Sequence, residues 1–249
     1  MVTDIELFQE AVEARRFDVA YEPIVELATG ARCAYESLAR FLTPAGTPLP
    51  TSDVFAWLHA DPPRLAEVEC DLKAAQAAHA PAAPLFVNLD PDSYVIAKDR
   101  ELPILAPLAA HPSRVVVEVV ESSTSADAGR IRRMIRDVRA GGLGVALDDL
   151  GAPNALISLE SLVQVDVVKL DRSVLTAVGD IRYRGLVECI VDLARRNGTR
   201  TVLEGIETRT ELAIAEALGV DLVQGYLFSD QFLNVKRARS RRRARGAAR

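Results

Sequence analysis

Short apolar runs alternate along this chain with longer stretches whose apolar residues recur every three or four positions. Thr3-Asp4-Ile5-Glu6 has capping-box spacing, and Ile5, Phe8 and Val12 share one helical face. Phe17-Asp18-Val19 then alternates as a strand does, and Cys33–Leu38 and Leu85–Asn88 are further strand candidates, the latter after the punctuation of Pro81 and Pro84. The second half is more regular. Val115–Glu118 reads as a fully buried parallel strand, and Ile131, Met134, Ile135 and Val138 follow as a helical stripe ending at Gly141-Gly142. Val145–Asp148 and Val165–Leu170 are strands. Leu186, Ile190 and Leu193 predict the buried face of a helix stopped by Asn197-Gly198. Thr201–Glu204 is a strand, Thr208-Arg209-Thr210-Glu211 opens a capped helix, and Leu222–Gln224 closes the series. The stretch from Phe41 to Ala80, with helix-like segments near Phe55–Leu58 and Leu65–Ala78, reads as an elaborated connection.

Strands alternating with helices over most of the chain define an α/β protein, either a TIM-type barrel or an open doubly wound sheet. The formal charge of −5 conceals an asymmetry, because eight basic and no acidic residues fall between Lys236 and Arg249. Without them 22 basic residues face 35 acidic ones, about −13, so the body repels nucleic acid and suits a protein that gathers carboxylates around cations. The Arg-rich tail is expected to be disordered, with contact to anionic lipid or nucleic acid as its other readings. Cys33, Cys70 and Cys189 lack the spacing of a thiolate zinc site and are expected to be buried free thiols. No signal peptide and no apolar run long enough to cross a bilayer is legible, which predicts a cytoplasmic protein.

The chemistry lies at the strand ends. Seven apolar runs carry Glu36, Asn88, Glu118, Asp148 with Asp149, Lys169, Glu204 and Gln224 at or near their C-termini. Taken singly, each has a plainer role: a Glu or Asn caps a helix, Asp148-Asp149 before Gly151 makes a turn, and Lys169 pairs inside the core. In a barrel, however, those seven ends converge on one rim. Five carboxylates in one pocket repel one another unless cations compensate, and hard divalent ions take oxygen from Asp, Glu and Asn. Two such ions activate water against a phosphodiester, with Lys169 as a further cation. His59, His79 and His111 belong to no such pattern.

The same residues resemble the motifs of the EAL-domain family of cyclic di-GMP phosphodiesterases, in order, from about Phe8 to Ser229. Tyr21-Glu22-Pro23-Ile24-Val25 is similar to YQPIV, and Glu36-Ser37-Leu38-Ala39-Arg40 to ExLxR. Val87-Asn88-Leu89 is similar to the Asn strand, and Glu118-Val119-Val120-Glu121 to ExxE. Asp148-Asp149-Leu150-Gly151 is similar to DDFG, Lys169-Leu170-Asp171 to KxD, Glu204–Thr208 to EGVET, and Gln224–Phe228 to QGYLF. The resemblance implies a TIM-like (β/α)8 barrel with one antiparallel strand, over residues 1–232, followed by the tail at 233–249. It implies two Mg²⁺ or Mn²⁺ ions held by Glu36, Asn88, Glu118, Asp148 and Asp149, and hydrolysis of cyclic di-GMP to linear pGpG. Lys169 would orient the attacking water, Glu204 would serve as metal-shell residue or general base, and Asp149 would act in catalysis beside them. Arg40 would contact a phosphate, Glu22, Leu38 and Gln224 would line the nucleotide pocket, and Glu121 would anchor the loop after Asp149. A homodimer is implied as well. The chain departs from the family at Ser37, at Glu22 (usually Gln), and in Gly151-Ala152-Pro153-Asn154-Ala155-Leu156, where GxGYSSL is usual. An active hydrolase, a receptor that binds cyclic di-GMP without cleaving it, and a protein-interaction module all remain compatible with the residues.

Overall fold

The structure, a computed structural model, describes residues 3–110, 114–120, 125–153 and 159–235. Helix α1 (Asp4–Glu13) opens on the expected capping box: Thr3 accepts the Glu6 N–H, and Glu6 reaches back to the Thr3 backbone. β1 (Phe17–Glu26) and β2 (Arg32–Phe41) form an antiparallel pair with Glu22 opposite Glu36. α2 (Thr51–Leu58) and α3 (Pro62–Ala78) occupy the elaborated connection and lead to β3 (Leu85–Asn88) and α4 (Pro91–Asp99). After the short α5 (Ala106–Ala109) come β4 (Val115–Val120), α6 (Ser125–Ala140), β5 (Gly144–Leu150) and the single turn α7 (Leu159–Leu162). β6 (Val167–Leu170), α8 (Val174–Ala177), α9 (Ile181–Asn197), β7 (Arg200–Leu203), α10 (Arg209–Leu218) and β8 (Leu222–Gln224) complete the alternation.

β2 to β8 pair in sequence as parallel neighbours, and β1 closes the ring by pairing antiparallel with both β2 and β8. The result is an eight-stranded barrel with one reversed strand; closure leaves no open edge between β8 and β2. A ninth strand, β9 (Leu233–Val235), lies antiparallel to β1 through Val19–Val235 and Tyr21–Leu233. β9 falls in the segment 233–249 read from the sequence as the tail; residues 236–249 lie outside the described residues.

Most of the core lies between the barrel and its helices, where Leu65, Leu72, Val117, Val145, Leu147 and Val168 are buried. A second cluster fills the barrel itself: Ile24, Ala34, Phe86, Ala146, Val167, Val202 and Leu222, with Val116 and Cys33 packed against it. The stripe expected on α9 is displaced by one residue. Val187, Val191 and Ala194 face the core with Ile190 half-buried beside them, whereas Leu186 and Leu193 are exposed. The helix is apolar on two adjoining faces, and the smaller side chains take the buried one. The cysteines are unpaired as expected, but Cys189 is exposed and Cys33 and Cys70 only half-buried, because Cys189 also lies off the core face of α9.

Candidate active site

The polar strand-end residues follow from the period of a strand. Each stands two positions beyond an inward apolar residue of the barrel floor: Glu36 after Ala34, Asn88 after Phe86, Glu118 after Val116, Asp148 after Ala146, Lys169 after Val167, Glu204 after Val202, Gln224 after Leu222. Side chains two apart share a face, so the apolar layer and the polar layer stack along the barrel axis. On the reversed strand β1 the order inverts, and Glu22 stands two positions before Ile24.

Lys169, 1 % exposed, is the hub of this layer. Its Nζ lies 2.6 Å from Glu118 Oε1 and Glu204 Oε1 and 3.2 Å from Glu36 Oε2 and Asp148 Oδ1. Glu36 also accepts the Asn88 amide at 2.8 Å and the Gln224 amide at 2.6 Å. Burial alone would strip the proton from Lys169, but Glu118, Glu36, Asp148 and Glu204 hold its pKa well above the ordinary lysine value. The carboxylates divide in the opposite sense. Burial opposes ionisation of Glu36, yet Lys169, Gln224 and Asn88 outweigh it and keep the pKa below its usual value. Burial, reinforced by the charge of Glu36, pushes Glu118 well up. Burial also raises Asp148, and it carries Glu204 to about 8. Four carboxylates thus share one ammonium, and without further cations the site takes up protons.

Asp149 reaches this cavity by a backbone irregularity. Successive strand residues face opposite ways, so Asp148 and Asp149 cannot both point inward from a regular strand. The β5–β6 register shifts between Leu147 and Leu150, and Asp149 takes a left-handed φ of 58°, a conformation Asp tolerates better than most residues. Asp149 then lines the same cavity of about 320 Å³ as Asp148, and one carboxylate oxygen from each of Asp148, Asp149 and Glu204 lies within 4.8 Å of the others. Burial, then Asp148 and Asp171, raise the Asp149 pKa to about 6.

Glu22, Leu38 and Gln224 line this cavity. Arg40 lies beyond it, its Nη1 donating to Ala39 O at 2.9 Å, on the wall of an adjoining cavity of about 520 Å³ that shares Leu38. Glu121 and Asn154 to Leu156 fall outside the described residues. Asp171, Arg172, Glu207 and Tyr226 also line the smaller cavity, although strand-end reasoning assigned them no role. They sit just beyond β6, β7 and β8, the first three on loops and Tyr226 at the start of a 3-10 turn (Tyr226–Gln231), where no periodicity marks them. The larger cavity holds a further unforeseen element, a Lys73–Glu69 ion pair of 2.6 Å on α3 with both side chains under 5 % exposed. Its only sequence signal is the four-residue spacing that puts the two on one helical face.

Whether this layer suits metal is testable on its own atoms. Glu118 Oε2 is buried and has no hydrogen-bond partner among the described residues, and the donor set is almost entirely hard oxygen in excess of its one ammonium. An oxygen-rich, anion-heavy set with a spare buried lone pair fits a hard divalent cation.

The family model for the EAL domain matches residues 5–231, and the chain belongs to that family. The probable cyclic di-GMP phosphodiesterase PdeB of Escherichia coli is 28 % identical over 233 residues, covering 89 % of this chain and 44 % of the relative. An uncharacterized protein of Azorhizobium caulinodans is 30 % identical over 226 residues, covering 84 % of this chain and 30 % of the relative. This chain therefore spans less than half the length of both. Among solved structures, an EAL domain protein from Listeria monocytogenes superposes with a TM-score of 0.74 at 21 % identity, covering 95 % of each chain. A manganese and cyclic di-GMP complex of BlrP1 from Klebsiella pneumoniae superposes with a TM-score of 0.70 at 25 % identity, covering 90 % of this chain and 62 % of that one.

Proposed function

We propose that this chain is a divalent-metal-dependent phosphodiesterase that opens cyclic di-GMP to linear pGpG. The observation that carries the reading is the single polar layer in which Glu36, Asn88, Glu118, Asp148 and Glu204 surround Lys169 while the β5 irregularity adds Asp149. The EAL family and the activity named for its Escherichia coli relative support the substrate. Glu36, Asn88, Glu118, Asp148 and Asp149 would hold two Mg²⁺ or Mn²⁺ ions. Such ions, when bound, lower the pKa of water and polarise the phosphoryl oxygens.

The chain's own residues do the rest. Lys169 Nζ orients the attacking water and stays charged throughout. Glu204 accepts the proton that leaves that water as its oxygen bonds to phosphorus. The P–O3′ bond breaks, and the 3′ oxygen leaves as a hydroxyl by taking that proton from Glu204. Arg40 contacts a phosphate from the adjoining cavity, and Glu22, Leu38 and Gln224 line the nucleotide pocket.

Among the described residues no helix is long and apolar enough to cross a membrane, in keeping with a cytoplasmic site of action. The exposed Leu159, Val163, Ile181 and Leu186 support a homodimer. The test of the activity is incubation of the pure chain with cyclic di-GMP and Mn²⁺, with pGpG read by chromatography. Product from wild type and none from Glu36→Gln is the expected result. Absence of product at high protein concentration overturns the hydrolase, and tight binding without product replaces it with a receptor.

A further inference from the structure

The placement of β9 decides where the basic end of the chain leaves the barrel. Glu22 stands level with Glu36 in the polar layer, and Ile24, two residues on, lies in the apolar floor, so β1 runs from the mouth inward. β9 pairs antiparallel with the outer part of β1, Leu233 opposite Tyr21 and Val235 opposite Val19. It therefore climbs from the level of the polar layer toward the open rim. Phe232, the residue before β9, packs its ring against Tyr226 at 5.8 Å, and Tyr226 lines the smaller cavity. The chain thus leaves β9 beside that cavity. The fourteen residues 236–249 carry eight basic side chains and no acidic one, and they can reach up to about 45 Å from Val235. The cavity is their electrostatic complement. Seven carboxylate side chains line it against Lys169 and Arg172. Arg172 pairs with Glu207 at 3.7 Å, and Asp149 and Asp171 line the cavity without an ion pair among the described residues.

We propose that the basic segment 236–249 is an intramolecular counter-ion of this mouth, engaging the rim carboxylates of Asp171 and Glu207 and competing with divalent cations for the acids beneath them. A guanidinium fork matches a carboxylate in geometry as well as charge. Single exposed ion pairs are weak, but a tether that begins beside the cavity holds the segment at an effective concentration of about millimolar. Lipid headgroups or nucleic acid drawn to the same segment would meet the acidic rim next to it and be repelled. A metal ion entering the layer lowers the negative charge that holds the segment, and by linkage the docked segment lowers metal affinity by the same factor. The competition rests on the metal-binding reading of the layer; the docking does not.

Docking is tested without metal by a fluorescent peptide with the sequence of residues 236–249. It is added to the full-length chain in which Lys236 and the seven arginines after it are replaced by glutamine. Anisotropy is expected to show binding at about 20 mM salt that weakens roughly tenfold by about 200 mM. Asp171→Asn with Glu207→Gln in the same chain is expected to weaken it at least fivefold. Where that pair alters the circular-dichroism melt, Glu207→Gln alone, at an exposed position, carries the comparison. No binding, or binding unchanged by the rim substitutions, overturns the proposal. Calorimetry then tests the competition: the glutamine-substituted chain is expected to bind Mn²⁺ about threefold or more tighter than wild type at low salt, and equally at about 0.5 M. Equal affinity at low salt overturns the competition. Mn²⁺ bound by neither chain overturns the metal-binding reading instead, and rim-dependent peptide binding still upholds the docking.

Discussion

Replacing Lys169 with Met tests the electrostatic account of the barrel most directly. The substitution keeps the length of the stem but removes an ammonium within 3.2 Å of four carboxylates. Breaking a buried ion network by deleting one partner costs about 3–5 kcal/mol, because the remaining charges stay desolvated. In metal-free protein at pH 7 the variant should lose about that much unfolding free energy in a urea titration. The loss should shrink as pH falls. Without Lys169 the carboxyls sit further above their unfolded values, so the folded state holds protons that the unfolded chain has released. Stability then falls as pH rises from the ordinary carboxylate pKa through the raised ones, by about 1.4 kcal/mol per pH unit for each proton held. Between pH 7 and pH 5 one such proton restores up to about 2.7 kcal/mol. Wild-type Lys169 contributes fully at both values, since its pKa is raised and its stabilisation is lost only at higher pH. A loss below about 1 kcal/mol at pH 7, or one independent of pH, refutes the claim that Lys169 neutralises ionised carboxylates.

Other consequences are equally concrete. Glu118→Gln should leave metal-free protein as stable or more so, because it removes a buried, proton-seeking carboxyl, while Mn²⁺ affinity by calorimetry falls at least tenfold; destabilisation with unchanged affinity would contradict this. On α9, Val187→Ala should cost about 1.6 kcal/mol for two buried methyl equivalents and Leu186→Ala under about 0.5, and equal costs in a denaturant titration would restore the face read from the sequence. Gly225→Ala should destabilise by about 1–3 kcal/mol and lower the melting temperature, since a Cβ there would run into the backbone oxygen and nitrogen of Ile206; an unchanged melt would rule out that close approach.

Much of this protein is legible one residue at a time. The strand runs, the two capping boxes and the polar residue at each strand end depend on neighbours in sequence, through side-chain alternation and local hydrogen bonds. The ordered motifs add the family, which the residue match over 5–231 establishes. What no local pattern contains is how these pieces close upon each other. Open sheet and barrel share the same alternation, and only the pairing of β1 with both β2 and β8 decides between them. The α9 stripe misled because two faces are apolar and only packing selects one. Asp149 faces the cavity because a register break fixes a left-handed residue there. The environment of Lys169 is likewise a tertiary property. Its four carboxylates come from β2, β4, β5 and just after β7, and closing the barrel brings them within reach of one ammonium and away from water. The sequence alone determines which chemical groups the strands carry. Their charge states arise only where burial and mutual distance make ionisation of one depend on the rest.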